Sequence, residues 1–237
     1  MQILSRYRFS SLLRRIGRLS LLGIMVLLAS MAWHTWRLAS LQTTVQAKPG
    51  VNVDANAAAK RLSVAVQFKS IWTPKDEHAA EFNGLQRHIE QSFPAAHAAM
   101  QRQLLGQHAL LYTWPGSDAQ AEPIALLAHQ DVVPIAPGTE ADWQAPPFSG
   151  AVKDGFVWGR GAWDDKGCLM AIMEAVDALA RSGFQPRQTI YLALGADEEV
   201  GGKDGAQRIA ALLRQRGVKL RFALDEGLLI THGMCPA

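Results

Sequence analysis

From residue 108 onward the sequence alternates short apolar runs with longer segments of helical period, and this alternation constrains the fold more than any other feature. The runs HALLYTW (108–114), PIALLAH (123–129), TIYLALG (189–195) and RFALDEG (221–227) have strand length and few polar residues. Residues 166–182 and 204–217 carry apolar residues at helical spacing, as do 61–67 and 77–92 upstream, where Pro94 is expected to end the helix. FSGAVKDGFVWG (148–159) reads as a hairpin turning at Asp154-Gly155. Strands without a polar face must be covered on both sides, so the pattern predicts an α/β layered domain around a largely buried sheet.

The ends of these runs are chemically unlike their middles. PIALLAH closes on His129, with Asp131 two residues on, and alternation along an extended chain points both side chains the same way. A metal-binding histidine commonly donates its second ring N–H to a carboxylate, which makes Asp131 a candidate orienting partner. TIYLALG runs into Asp197, Glu198 and Glu199, and RFALDEG ends in Asp225 and Glu226. Adjacent carboxylates repel unless water screens them or a cation neutralises them. The fourth group lies in GRGAWDDKG (159–167), where Asp164 and Asp165 stand at the mouth of the 166–182 helix. A helix cap accounts for one acid and not for two, so one is expected to bond locally while the other reaches for a charged group. Parallel strands bring such ends to one edge of the sheet. Mixed histidine and carboxylate donors suit zinc, with manganese or cobalt as substitutes, better than copper or an iron–sulfur cluster.

A second feature is separate from this domain. Residues 19–36, LSLLGIMVLLASMAWHTW, contain no Asp, Glu, Lys or Arg. As a helix at about 1.5 Å per residue they span about 27 Å, close to the thickness of a bilayer core. Five arginines, Arg6, Arg8, Arg14, Arg15 and Arg18, precede the stretch, and Trp33 and Trp36 sit where an interfacial aromatic belt lies. The expectation is a basic cytoplasmic arm (1–18), a membrane anchor (19–36), a stalk (37–60) and a catalytic portion (61–237) on the non-cytoplasmic side. A cleavable signal peptide, cut after Ser30-Met31-Ala32, is the alternative. The net charge of +3 has the same origin: without the five arginines and Arg37, 18 basic residues face 21 acidic ones. A mildly acidic body argues against a nucleic-acid partner. Cys168 and Cys235 do not make a disulfide framework, and neither is assigned a catalytic role.

Taken together, His129-Gln130-Asp131, WQAPPFSGAVKDGFVWGRGAWDDKG, Asp197-Glu198-Glu199 and LDEG resemble the zinc aminoacylase and carboxypeptidase family, in particular its carboxypeptidase S-like and N-fatty-acyl-amino-acid hydrolase-like branch. The resemblance runs from about Leu62 to the C-terminus. It implies a three-layer α/β/α zinc-peptidase-like domain, here preceded by a transmembrane helix. It also implies two zinc ions with a water between them, and hydrolysis of an amide bond beside a free carboxylate in a peptide or N-acyl amino acid. Carried over by motif, His129, Asp164 and Asp225 would bind the first ion, Asp164 and Glu199 the second, Asp131 would orient His129, and Glu198 would act as general base. In the family a lid and dimerisation domain, and a later histidine for the second ion, follow the stretch where this sequence stops. A truncated chain is therefore the expectation, with homodimer formation dependent on that lid, and an inactive fragment holding at most one complete zinc site is the alternative.

Overall fold

The computed structural model describes residues 2–38 and 53–227. Cys235 and most of the expected stalk lie outside them. Helix α1 (Gln2–Trp36) forms a unit apart from the body. Its segment Arg15–Trp36 is long and apolar enough to cross a membrane, and every residue of it is exposed.

The body opens with α2 (Ala55–Gln67), α3 (Ala79–Ser92) and α4 (Pro94–Ala99). Helix α2 begins at Ala55 rather than at residue 61, because the Asp54 side chain accepts the backbone N–H groups of Asn56 and Ala57 and caps an alanine-rich start. Pro94 does not simply terminate a helix: it occupies the first position of α4, where its missing N–H costs nothing. The next two N–H groups, of Ala95 and Ala96, are taken by the buried Asp177 carboxylate at 2.9 and 3.0 Å.

Strands β1 (Gln101–Leu105), β2 (Ala109–Trp114) and β3 (Ile124–His129) follow, then the hairpin β4 (Ala151–Lys153) and β5 (Phe156–Trp158). Asp154 and Gly155 take left-handed φ values of 55° and 81°, as a two-residue hairpin turn requires. Helix α5 (Lys166–Arg181), β6 (Ile190–Gly195), α6 (Ala206–Gln215) and β7 (Phe222–Leu224) complete the described fold.

The main sheet has the order β1-β2-β6-β3-β7. Strands β6, β3 and β7 are mutually parallel, whereas β2 runs antiparallel to both of its neighbours, β1 and β6. The sheet is thus mixed, and β1 is a strand that the apolar pattern does not reveal, since its QRQLL sequence is largely exposed. Alternate residues feed two cores. Leu110, Tyr112, Leu192 and Leu194 pack with Leu169 and Met173 of α5, while Ala109, Leu111, Tyr191 and Ala193 pack with Ile209 and Leu213 of α6. Helices therefore cover both faces. The chain leaves β3 through α5 to reach β6 on one side, then returns through α6 to β7 on the other. That reversal puts a crevice at the C-terminal ends of the three parallel strands.

Candidate metal centre

His129, the last residue of β3, is buried and has acceptors on both ring nitrogens. Nδ1 lies 3.0 Å from the Asp131 carbonyl oxygen and 3.3 Å from its Oδ1. Nε2 lies 2.9 Å from Asp164 Oδ1 and 3.9 Å from both Glu198 Oε2 and Glu226 Oε2. A neutral imidazole has one N–H, so Nδ1–H toward Asp131 leaves the Nε2 lone pair facing carboxylates. Only a second proton or a cation resolves that clash. Burial opposes charge on the ring, but Asp131 and Asp164 outweigh it and push the His129 pKa up to about 10.

The neighbouring acids divide into those that build the site and those that face it. Asp131 is fully buried; its Oδ2 accepts the Glu199 backbone N–H at 3.1 Å, tying the end of β3 to the loop after β6. Its Oδ1 has no hydrogen-bond partner among the described residues. Asp165 stands at the cap position of α5 without capping it; its Oδ2 instead accepts the His129 backbone N–H at 3.1 Å. Burial pushes Asp165 up to about 7. Of the Asp197–Glu199 run, Asp197 is buried and turned away, accepting the N–H groups of Asp204 and Gly205 at 2.6 and 2.8 Å. Two carboxylates, not three, are left to meet the site from this loop.

Glu199 and Glu226 both have raised pKa values. Burial is the main cause for each, followed for Glu199 by the charge of Asp164, while for Glu226 the charges of Asp164 and Glu198 act against the pull of His129. Lys166, next in sequence to Asp165, is no counter-ion: its ammonium donates to the Phe68 carbonyl at 2.5 Å, and burial brings its pKa down to about 7. Among the described residues, every ion pair made by Asp131, Asp164, Glu198 or Glu226 goes to the His129 ring.

Atoms of His129, Asp164 and Glu226 lie within 4.8 Å of one another, a spacing a single ion can draw together. The fourth acidic end thus contributes Glu226 to the group, whereas Asp225 bonds its own neighbour's amide, Glu226 N–H to Oδ1 at 3.0 Å. The sequence motif singles out Asp225 and assigns no role to Glu226 beside it. Glu198 and Asp225 line the same crevice, a cavity of about 560 Å3 whose remaining wall is largely apolar, including Leu127, Ala193, Ile209 and Leu213. The donor set and its uncompensated charge fit a divalent ion.

Residues 125–236 match the family model described as Peptidase family M20/M25/M40. The chain is 41% identical over 183 residues to the N-fatty-acyl-amino acid synthase/hydrolase PM20D1 of Bos taurus, a match covering 76% of this chain and 36% of that protein. It is 39% identical over 170 residues to carboxypeptidase S of Saccharomyces cerevisiae, covering 68% of this chain and 30% of the relative. The chain thus spans about a third of the length of these relatives. In fold it resembles human carnosine dipeptidase 1, with a TM-score of 0.58 at 18% identity, over 74% of this chain and 39% of that one.

Proposed function

Residues 125–236 place the chain in peptidase family M20/M25/M40, and from that premise we propose that it forms the metal-binding part of a hydrolase. Its substrate would be a peptide or N-acyl amino acid, cut at an amide bond beside a free carboxylate. The observation that carries the reading is electrostatic: carboxylates from three chain segments surround one imidazole and find no other cationic partner among the described residues.

His129, Asp164 and the Asp225–Glu226 pair would hold one zinc ion, and Asp164 with Glu199 would hold a second. Glu226 is the member of its pair whose carboxylate stands with His129 and Asp164. Bound zinc supplies Lewis acidity, polarising the amide carbonyl and acidifying water. Asp131 holds His129 in the tautomer that turns Nε2 toward the site. Glu198, half exposed and 3.9 Å from His129 Nε2, would take a proton from water and return it to the departing nitrogen. The apolar wall of the adjoining cavity suits an acyl chain or an apolar side chain.

Glu198→Ala in the metal-loaded protein tests the assignment. Turnover of N-acyl amino acids and dipeptides is expected to fall by at least about 100-fold, the lower bound for loss of a general base, with zinc content unchanged. Retained turnover, or loss of zinc along with it, contradicts the role of Glu198.

A further inference from the structure

Between the two site residues His129 and Asp131 stands Gln130, a fully buried side chain whose hydrogen bonds go to none of the acids. Its backbone N–H donates to Gly195 O at 2.9 Å, continuing the parallel ladder one step past the end of β3. Its own carbonyl accepts the Ser70 hydroxyl at 2.7 Å. The side chain reaches further. Nε2 donates to Leu194 O at 3.1 Å and Gly195 O at 3.2 Å on β6, and to His108 O at 3.0 Å just before β2. Three carbonyls around one nitrogen fix which end of the amide is which. Oε1 accepts Gln86 Nε2 at 3.0 Å, and Gln86 Oε1 in turn accepts an Arg102 N–H at 2.7 Å.

We infer that Gln130 is a positioning residue for the metal centre, its carboxamide locking the end of β3 against the end of β6 and so setting the spacing between His129 and the Glu198–Glu199 loop. The inference rests on the metal-site reading above. Its physical basis is the position of the bonds. Leu194 and Gly195 are the last residues of β6, four and three positions before Glu198. The same loop is held once more, at Glu199 N–H, by Asp131. One side of the loop is therefore fixed by Asp131 and the other by Gln130, on either side of a single peptide link. An apolar residue of the same length would fill the space and leave the end of β6 held to β3 by backbone pairing, with Asp131 as the one remaining side-chain tie to the loop beyond it. Partners one layer out from metal ligands typically change metal affinity or activity by about 10–100-fold when removed.

The test is zinc titration of the metal-free chain, together with the visible spectrum of the cobalt-loaded form, for Gln130→Met and for Gln130→Asn, whose shorter amide falls short of the carbonyls. Ile89→Ala, a core substitution in α3, controls for lost stability. The expected result is zinc affinity about 10–100-fold weaker and an altered cobalt spectrum in both Gln130 variants, with neither change in Ile89→Ala at comparable loss of thermal stability. If Gln130→Met does not fold, Gln130→Asn carries the comparison alone. Unchanged affinity and spectrum in the folded Gln130 variants, or equal losses in Ile89→Ala, overturn the inference while leaving the metal site standing. Absence of zinc binding by the unsubstituted chain overturns the site itself.

Discussion

Protons and a divalent ion compete for the His129 ring. In the metal-free chain the imidazole stays charged up to about pH 10, so at neutral pH an incoming ion must displace about one proton from it. The sign follows: affinity is weakest in acid and rises as pH rises, by about tenfold per unit while one proton is exchanged. Calorimetric zinc titrations at pH 6.5 and 7.5, in buffers of different protonation enthalpy, are expected to show both the rise and the released proton. A flat affinity without proton release contradicts the placement of the ion at His129. Much at this scale was readable from the chain. Alternation puts His129 and Asp131 together, although the hydrogen bond to Nδ1 is made by the Asp131 carbonyl, with the carboxylate Oδ1 3.3 Å away. Asp225 and Glu226 were harder, because beyond Leu224 the ladder ends and no strand geometry dictates which acid turns inward. In the sequence Asp197 is one of three adjacent charges that need screening water or a cation, whereas two backbone N–H groups that no pattern reveals already satisfy it.

Helices and strands with strong apolar periodicity were legible, and those fixed by distant partners were not. Strands β2, β3 and β6 and helix α5 fall within a residue or two of expectation, because burial on one or both faces writes itself into composition. Strand β1 escapes because an edge strand has little apolar surface to bury. Helix α4 escapes because its N-terminus depends on Asp177, 81 and 82 residues away in sequence from the groups it caps. Asp177→Ala removes that cap and leaves two N–H groups without partners. The expected loss is about 1–2 kcal/mol in urea unfolding, with zinc binding intact. No loss of stability contradicts the capping role, and a loss of zinc binding contradicts the independence of α4 from the site.

For the whole molecule, the sequence shows a basic arm, an apolar helix and a mildly acidic body, and it identifies the acidic strand ends. It does not show the mixed sheet, since strand direction depends on which neighbours pair and not on local composition. We propose that α1 anchors the chain in a membrane with the body on the non-cytoplasmic side, in keeping with its exposed apolar segment and the arginines before it. The chain is then expected to remain with membranes through an alkaline carbonate wash, and a soluble chain beginning near Ala32 would establish the signal-peptide reading instead. The central claim is that separate segments of chain converge to hold divalent ions. Diffraction from zinc-soaked crystals, recorded on both sides of the zinc absorption edge, tests it most directly. The account predicts an anomalous peak at about 2.0–2.2 Å from both His129 Nε2 and an Asp164 oxygen, and a map with no peak there, or with zinc bound only elsewhere, would contradict it.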